Sequence, residues 1–252
     1  MQKIRSDLWE TRTDTPFPGL MTHAYLWTQP ERNVLFYSTA GDADFDAIER
    51  LGGIKDHFLS HKHEASPVLA RIADRFGSRL HAPAAEAAEI SRHAHLDVPL
   101  EGRRAHGAGL EAIPTPGHTP GSMCYLVSGV DGGTYLFTGD TTYVGNSGKW
   151  TTFLVSDSDP AALRSSLERG DYQRVAPGDR RERARGPSLV NLYCGSAGKL
   201  ARQNLTSADR NRNPLCRNRK RLRLLVTRHI RFRRIPHVVV SVGGHVGTVA
   251  TA

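Results

Sequence analysis

Residues 115–122 read Thr-Pro-Gly-His-Thr-Pro-Gly-Ser, and after a strand-sized gap residues 137–140 read Phe-Thr-Gly-Asp. Two Pro-Gly steps bracket one histidine. Proline presets φ and glycine accepts left-handed backbone, so the pair makes a rigid, tight loop with His118 at its tip. The second stretch is an apolar run, Tyr135 to Phe137, that ends on Gly139 and then on a carboxylate, Asp140. A glycine at that point lets neighbouring backbone approach closely.

A third stretch lies upstream, where residues 59–64 read Leu-Ser-His-Lys-His-Glu. In an extended chain residues i and i+2 point to the same side, so His61 and His63 can aim two imidazoles at one point. An apolar pair, Phe58 and Leu59, precedes them. Ser66-Pro67 follows and reads as a helix start, with serine as N-cap and proline in the first turn. The histidines therefore sit on a loop at a strand's C-terminal end, where α/β proteins build sites. Taken singly, each motif also fits ordinary surface or turn chemistry.

Around these motifs, residues 1–179 alternate short apolar runs with helical stripes. Strands are expected at 23–27, 33–37, 58–59, 124–127 and 135–137, each bounded by turn-forming residues. Helices are expected from Ser66 through Phe76 with a stop at Gly77, from Pro83 to His93, and from Asp159 to Gly170. Residues 174–178 read as a last strand and turn. The pattern is that of an α/β fold. A chain of 252 residues, 38% hydrophobic, supports one sizeable domain of this kind, or one domain plus a tail. There is no run of about 18 apolar residues, and the first twenty residues lack the apolar core of a signal peptide. No membrane association and a cytoplasmic location are the expectations. Three scattered cysteines without a CxxC exclude a disulfide framework, and Cys124, inside an expected strand, reads as buried and inert.

The net charge of +9 averages over two unlike segments. Of the 34 Lys and Arg, 17 lie from Arg180 onward, opposed only by Glu182 and Asp209. Residues 180–252 thus carry about +15 and residues 1–179 about −6. The expected boundary falls there: a domain over 1–179, with its last elements in question, and a poorly ordered or out-of-frame Arg-rich tail over 180–252. Two other readings of the tail are a basic arm that binds nucleic acid through phosphates, and a strand and turn at 238–244 that deliver His245 as an extra metal ligand.

Together the TPGHTPGS and FTGD stretches and the HKH loop resemble the metallo-β-lactamase superfamily, nearest its glyoxalase-II-like branch, over about residues 15–179. The resemblance implies an αββα sandwich of two mixed sheets flanked by helices, with the metal site along one edge. It matches His61, His63 and His118 to the three histidines of the first metal position, and Asp140 to the carboxylate that bridges two ions when two are bound. The chain departs from the pattern where a second ion would sit. Ala65 and Ser66 stand where the family motif HxHxDH has Asp and His, and the final turn reads Pro177-Gly178-Asp179 in place of a histidine turn. Three imidazoles and one carboxylate suit one Zn²⁺ in tetrahedral geometry, with Fe²⁺ as the alternative. The expected function is a metal-dependent hydrolase of a small ester, thioester or lactone-type molecule that uses a metal-activated water. Asp140 would orient that water and act as its base, with Glu64 as a second candidate base. The alternatives are a degenerate member that holds metal without turnover, a mononuclear iron dioxygenase-like member, and, ranked last, nucleic-acid processing.

Overall fold

The computed structural model describes residues 1–17, 20–107, 109–144 and 150–169. It also describes four short strands, Leu189–Leu192, Ser196–Ala197, Val238–Val242 and His245–Val246. The chain divides into two units, Met1–Gly198 with His237–Ala252, and Lys199–Pro236; the second falls outside the described residues. So do the expected strand and turn at 174–178 and the Pro177-Gly178-Asp179 turn. Among the described residues no helix is long and apolar enough to cross a membrane.

Two mixed sheets carry the first unit. In the first, seven strands run in the order Gln2–Lys3, Leu8–Glu10, Tyr25–Trp27, Val34–Phe36, Asp56–Phe58, Arg79–Pro83 and Val98–Leu100. The first four pair antiparallel and the remainder parallel, with Phe36 opposite Phe58 and Phe58 opposite His81. The second sheet runs Arg104–Ala105, Leu110–Pro114, Met123–Ser128 and Thr134–Phe137, all antiparallel. It continues in parallel to Leu189–Leu192 and Val238–Val242, and a hairpin adds His245–Val246. The strand expected before His245 is present at Val238–Val242 and pairs with His245–Val246; the turn at 243–244 and the His245 side chain lie outside the described residues.

Aromatic rings hold the sheets face to face. Phe36 stacks on Phe137 at 3.9 Å and packs on Tyr125 at 5.6 Å, while Phe58 meets Tyr125 edge-on at 5.3 Å. All four rings are fully buried, and each contributes on the order of 2–3 kcal/mol of hydrophobic free energy. The Asp56–Phe58 strand is polar at its start yet wholly buried. Arg32, Arg79 and His81 bond the Asp56 carboxylate, and His57 bonds a backbone carbonyl, so its polar groups are satisfied.

The helices differ from expectation at their starts. Val68–Phe76 buries Val68, Leu69 and Ile72 and closes on left-handed Gly77, but Pro67 occupies the cap position and the Ser66 hydroxyl makes no cap bond. Ser66 contributes its carbonyl instead, to Leu69 N–H. The Ala-rich stretch from Pro83 is not one helix. Its first residue ends the Arg79–Pro83 strand, paired with Val98–Leu100, and a 3-10 turn at Ala84–Glu86 precedes a helix of only Ala87–Ile90. Only Pro83 is taken by the sheet; Ala84, Ala85, Ala87 and Ala88 stay in helical turns, in keeping with alanine's high helix propensity. The Pro160–Arg169 helix starts where Asp159 Oδ1 accepts the N–H groups of Ala161 and Ala162.

Candidate metal centre

His61, His63 and His118 converge, each offering a ring nitrogen, and the three nitrogens lie within 4.8 Å of one another. The three rings stand nearly perpendicular in pairs, with centroids 4.7 to 5.3 Å apart. Asp140 Oδ2 lies 3.5 Å from His61 Nε2 and 3.3 Å from His118 Nε2, and His63 Nδ1 is 3.2 Å from His118 Nε2. His118 and His61 are buried, whereas His63 is exposed, so the cluster opens to solvent on the His63 side. The local backbone is not simply extended across the HKH motif. His61 is extended, and Lys62–Glu64 then tightens into a 3-10 turn; the two imidazoles still meet because the turn swings His63 across His61.

Each loop is pinned from behind. His61 Nδ1 faces Glu64 Oε1 at 3.1 Å and Ser60 Oγ at 2.9 Å. Glu64 also accepts from Ser60 N–H at 2.8 Å and from the Ser60 hydroxyl. His118 Nδ1–H donates to Phe153 O at 2.8 Å, and a carbonyl can only accept, so Nε2 carries the lone pair. Gly117, at φ +142°, sits where an added Cβ would lie 2.3 Å from the Leu163 backbone, so the Pro160–Arg169 helix packs directly on the turn that carries His118. Gly139, at φ +49°, packs on Ser60 so closely that a Cβ would come within 2.1 Å of the hydroxyl. Its close approach joins the Asp140 loop to the His61 loop.

One residue ties the two histidine loops together. Glu86, 2% exposed, accepts from Lys62 N–H at 2.6 Å and from Gly121 N–H at 2.9 Å. Sequence reasoning placed Glu86 on a helix and missed it, as it missed Ser60, Tyr37 and the Phe153 carbonyl. No motif marks these residues, because each acts through a backbone group or on the far side of a ring. On the solvent side, Lys62 pairs with Asp157 and links the HKH loop to the segment that supplies Phe153 O.

Electrostatics follow from burial against the carboxylates. Burial alone would lower the His61 pKa, but the Asp140 and Glu64 carboxylates on either side override it and hold the ring up to about 10 in the absence of a cation. Burial and the charge of neighbouring imidazoles lower His63 and His118. Burial pushes the Asp140 carboxyl up, and the three imidazoles more than offset this and leave its pKa below the ordinary carboxylate range.

The residues fit a divalent cation. His61 Nε2 is buried, and its nearest acceptor, Asp140 Oδ2 at 3.5 Å, is too far for a good hydrogen bond, an arrangement that is costly unless something else satisfies it. The separations of 3.2, 3.3 and 3.5 Å among the donors match the edge of about 3.3 Å of a tetrahedron with metal–ligand distances near 2.0–2.1 Å. Residues 65 and 66 do not offer the carboxylate and imidazole of the family motif. Ala65 packs on the apolar cluster that includes Leu59, Leu69 and Leu80, and Ser66 gives its carbonyl to Leu69 N–H. Glu64 stands on the Nδ1 side of His61, away from the converging nitrogens.

The metallo-beta-lactamase superfamily model matches residues 44–181. The chain belongs to that superfamily. It is 25% identical over 163 residues to the hydroxyacylglutathione hydrolase of Albidiferax ferrireducens, covering 61% of this chain and 58% of that protein. It is 29% identical over 156 residues to the hydroxyacylglutathione hydrolase of Acidiphilium cryptum, covering 59% of each. The chain thus spans under two thirds of the length of these relatives. Among solved structures, a metallo-beta-lactamase from Pontibacter korlensis superposes with a TM-score of 0.53 at 19% identity, covering 68% of this chain and 84% of that one, a likeness of fold.

Proposed function

We propose that this chain is a hydrolase of small ester, thioester or lactone-type substrates that depends on one metal ion held by His61, His63, His118 and Asp140, with zinc favoured over iron. The observation that carries the reading is the buried, unbonded Nε2 of His61 facing two further imidazole nitrogens and a carboxylate. The thioester class is favoured by the hydroxyacylglutathione hydrolases among the relatives. A cation bound there supplies Lewis acidity for the carbonyl and makes water a competent nucleophile near neutral pH. Four protein donors would close a tetrahedral site, so in turnover Asp140, ionised and partly exposed, would give up the fourth position, orient the attacking water and take its proton. Glu64 holds the Nδ1–H of His61 and so presents Nε2 to the ion; it positions that ligand rather than touching substrate. His63 sits at the open side, where substrate enters.

Elemental analysis of purified protein beside His118→Ala, with hydrolysis of an S-hydroxyacyl thioester of glutathione followed with and without a chelator, tests this. About one zinc per chain, lost in His118→Ala, and turnover abolished by chelation are expected. Metal without turnover would leave a member that holds the ion and does no chemistry. No metal after reloading would end the reading.

A further inference from the structure

Tyr37 is the one non-glycine residue among the described residues with a left-handed backbone, at φ +66°. That conformation is unfavourable for a residue with a Cβ and persists only where its surroundings over-determine it. They do so here. The Tyr37 N–H donates to Phe58 O at 2.9 Å, and His57 Nε2–H donates to Tyr37 O at 2.7 Å. The ring is wedged edge-on between Tyr25, at 6.1 Å, and Phe137, at 6.2 Å. Burial lowers the His57 pKa to about 4, which keeps the imidazole neutral near pH 7. The turn away from strand geometry after Val34–Phe36 carries the phenol across to the other sheet, where its oxygen accepts the Gly139 N–H at 2.8 Å.

Gly139 is the residue before Asp140 and opens the Gly139–Thr141 turn. Downstream of Asp140 the same turn is held by the Thr141 hydroxyl on Thr115 Oγ1 at 2.8 Å. Asp140 therefore lies between two buried hydrogen bonds, one of them from a residue in a strained conformation. We propose that Tyr37 is a positioning residue for the metal-site carboxylate: its left-handed backbone, clamped by His57, aims the phenol oxygen at Gly139 N–H and so sets where Asp140 stands relative to the three histidines. This rests on the metal reading above.

The test is the Zn²⁺ affinity of the full chain, by competition with a chromophoric chelator, together with the visible spectrum of the Co²⁺-loaded chain. Both are compared for the unsubstituted chain, Tyr37→Phe and His118→Ala. Tyr37→Phe removes one oxygen and keeps the ring. The expected result is a loss of Zn²⁺ affinity of about ten-fold, a changed Co²⁺ spectrum that reports an altered carboxylate, and a metal-free Tm lowered by no more than about 5 °C. Unchanged affinity and spectrum in Tyr37→Phe, while His118→Ala abolishes binding, would overturn the role of Tyr37 alone. A fall in affinity that leaves the Co²⁺ spectrum unaltered would overturn it as well, because only stability would have changed. No binding by the unsubstituted chain would overturn the metal reading and this inference with it.

Discussion

Two ends of one short loop have been put to opposite uses. Residues 61 to 64 present two histidines and Glu64, and the loop is held from behind: Glu64 against His61 Nδ1, and Glu86 on the Lys62 N–H. At residues 65 and 66, Ala65 packs against the buried cluster of Leu59, Leu69, Leu80, Ala82 and Ile90, and the Ser66 carbonyl accepts the Leu69 N–H in the first turn of the Val68–Phe76 helix. A metal donor needs more than the right side chain. It needs a second partner that fixes its lone pair, and that support is built around the first corner and replaced by apolar packing at the second. Among the described residues, one group of histidines, His61, His63 and His118, could hold an ion.

The contrast can be broken most severely at Glu86. In Glu86→Ala the Lys62 and Gly121 N–H groups lose their acceptor in a buried place, which costs about 2–4 kcal/mol. Chemical denaturation should show that loss, and zinc affinity should fall with it because both histidine loops are released. A loss under about 0.5 kcal/mol would mean the loops are set independently of Glu86.

Acid should weaken the supported corner through His57. Its folded pKa is lowered to about 4 from 6.5, so between those values the unfolded chain takes up the proton first. Stability is then full above pH 6.5 and falls as the pH drops toward 4, by about 3 kcal/mol from this group. Unfolding free energies at pH 7 and pH 4 measure the fall, and His57→Gln should flatten that part of the profile. An equally steep profile in His57→Gln would assign the acid sensitivity to other groups.

The smallest expected change sharpens the contrast from the other side. Ala65→Asp with Ser66→His places the superfamily's donor types at the apolar corner. Because Ala65 packs on an apolar cluster, the metal-to-chain ratio should stay near one at equimolar zinc and rise above one only under zinc excess. A ratio of two at equimolar zinc would show that residues 65 and 66 alone account for the missing position.

Local chemistry was legible wherever one residue type answers one physical demand. The Pro-Gly steps around His118, the glycine before Asp140 and the glycine stop after Phe76 each meet a backbone requirement that few residues satisfy. The helix expected from Pro83 is shorter than its composition suggested: pairing with Val98–Leu100 holds Pro83 in the strand, and the helical stretch runs only from Ala84 to Ile90. The role of Glu64 shifted because two positions along the chain do not reveal which ring nitrogen a carboxylate will face.

The superfamily, the α/β sandwich and the four residues named as candidate donors were readable from local motifs, whose spacing is short and whose turns are nearly forced. How those residues are held came only from the packing of distant segments. Glu86, Tyr37, Ser60 and the Phe153 carbonyl reach the site from separate elements, and they act on backbone N–H groups or on the rear face of an imidazole. Such contacts depend on where distant segments come to rest in the packed core, and a residue's type alone does not carry that information.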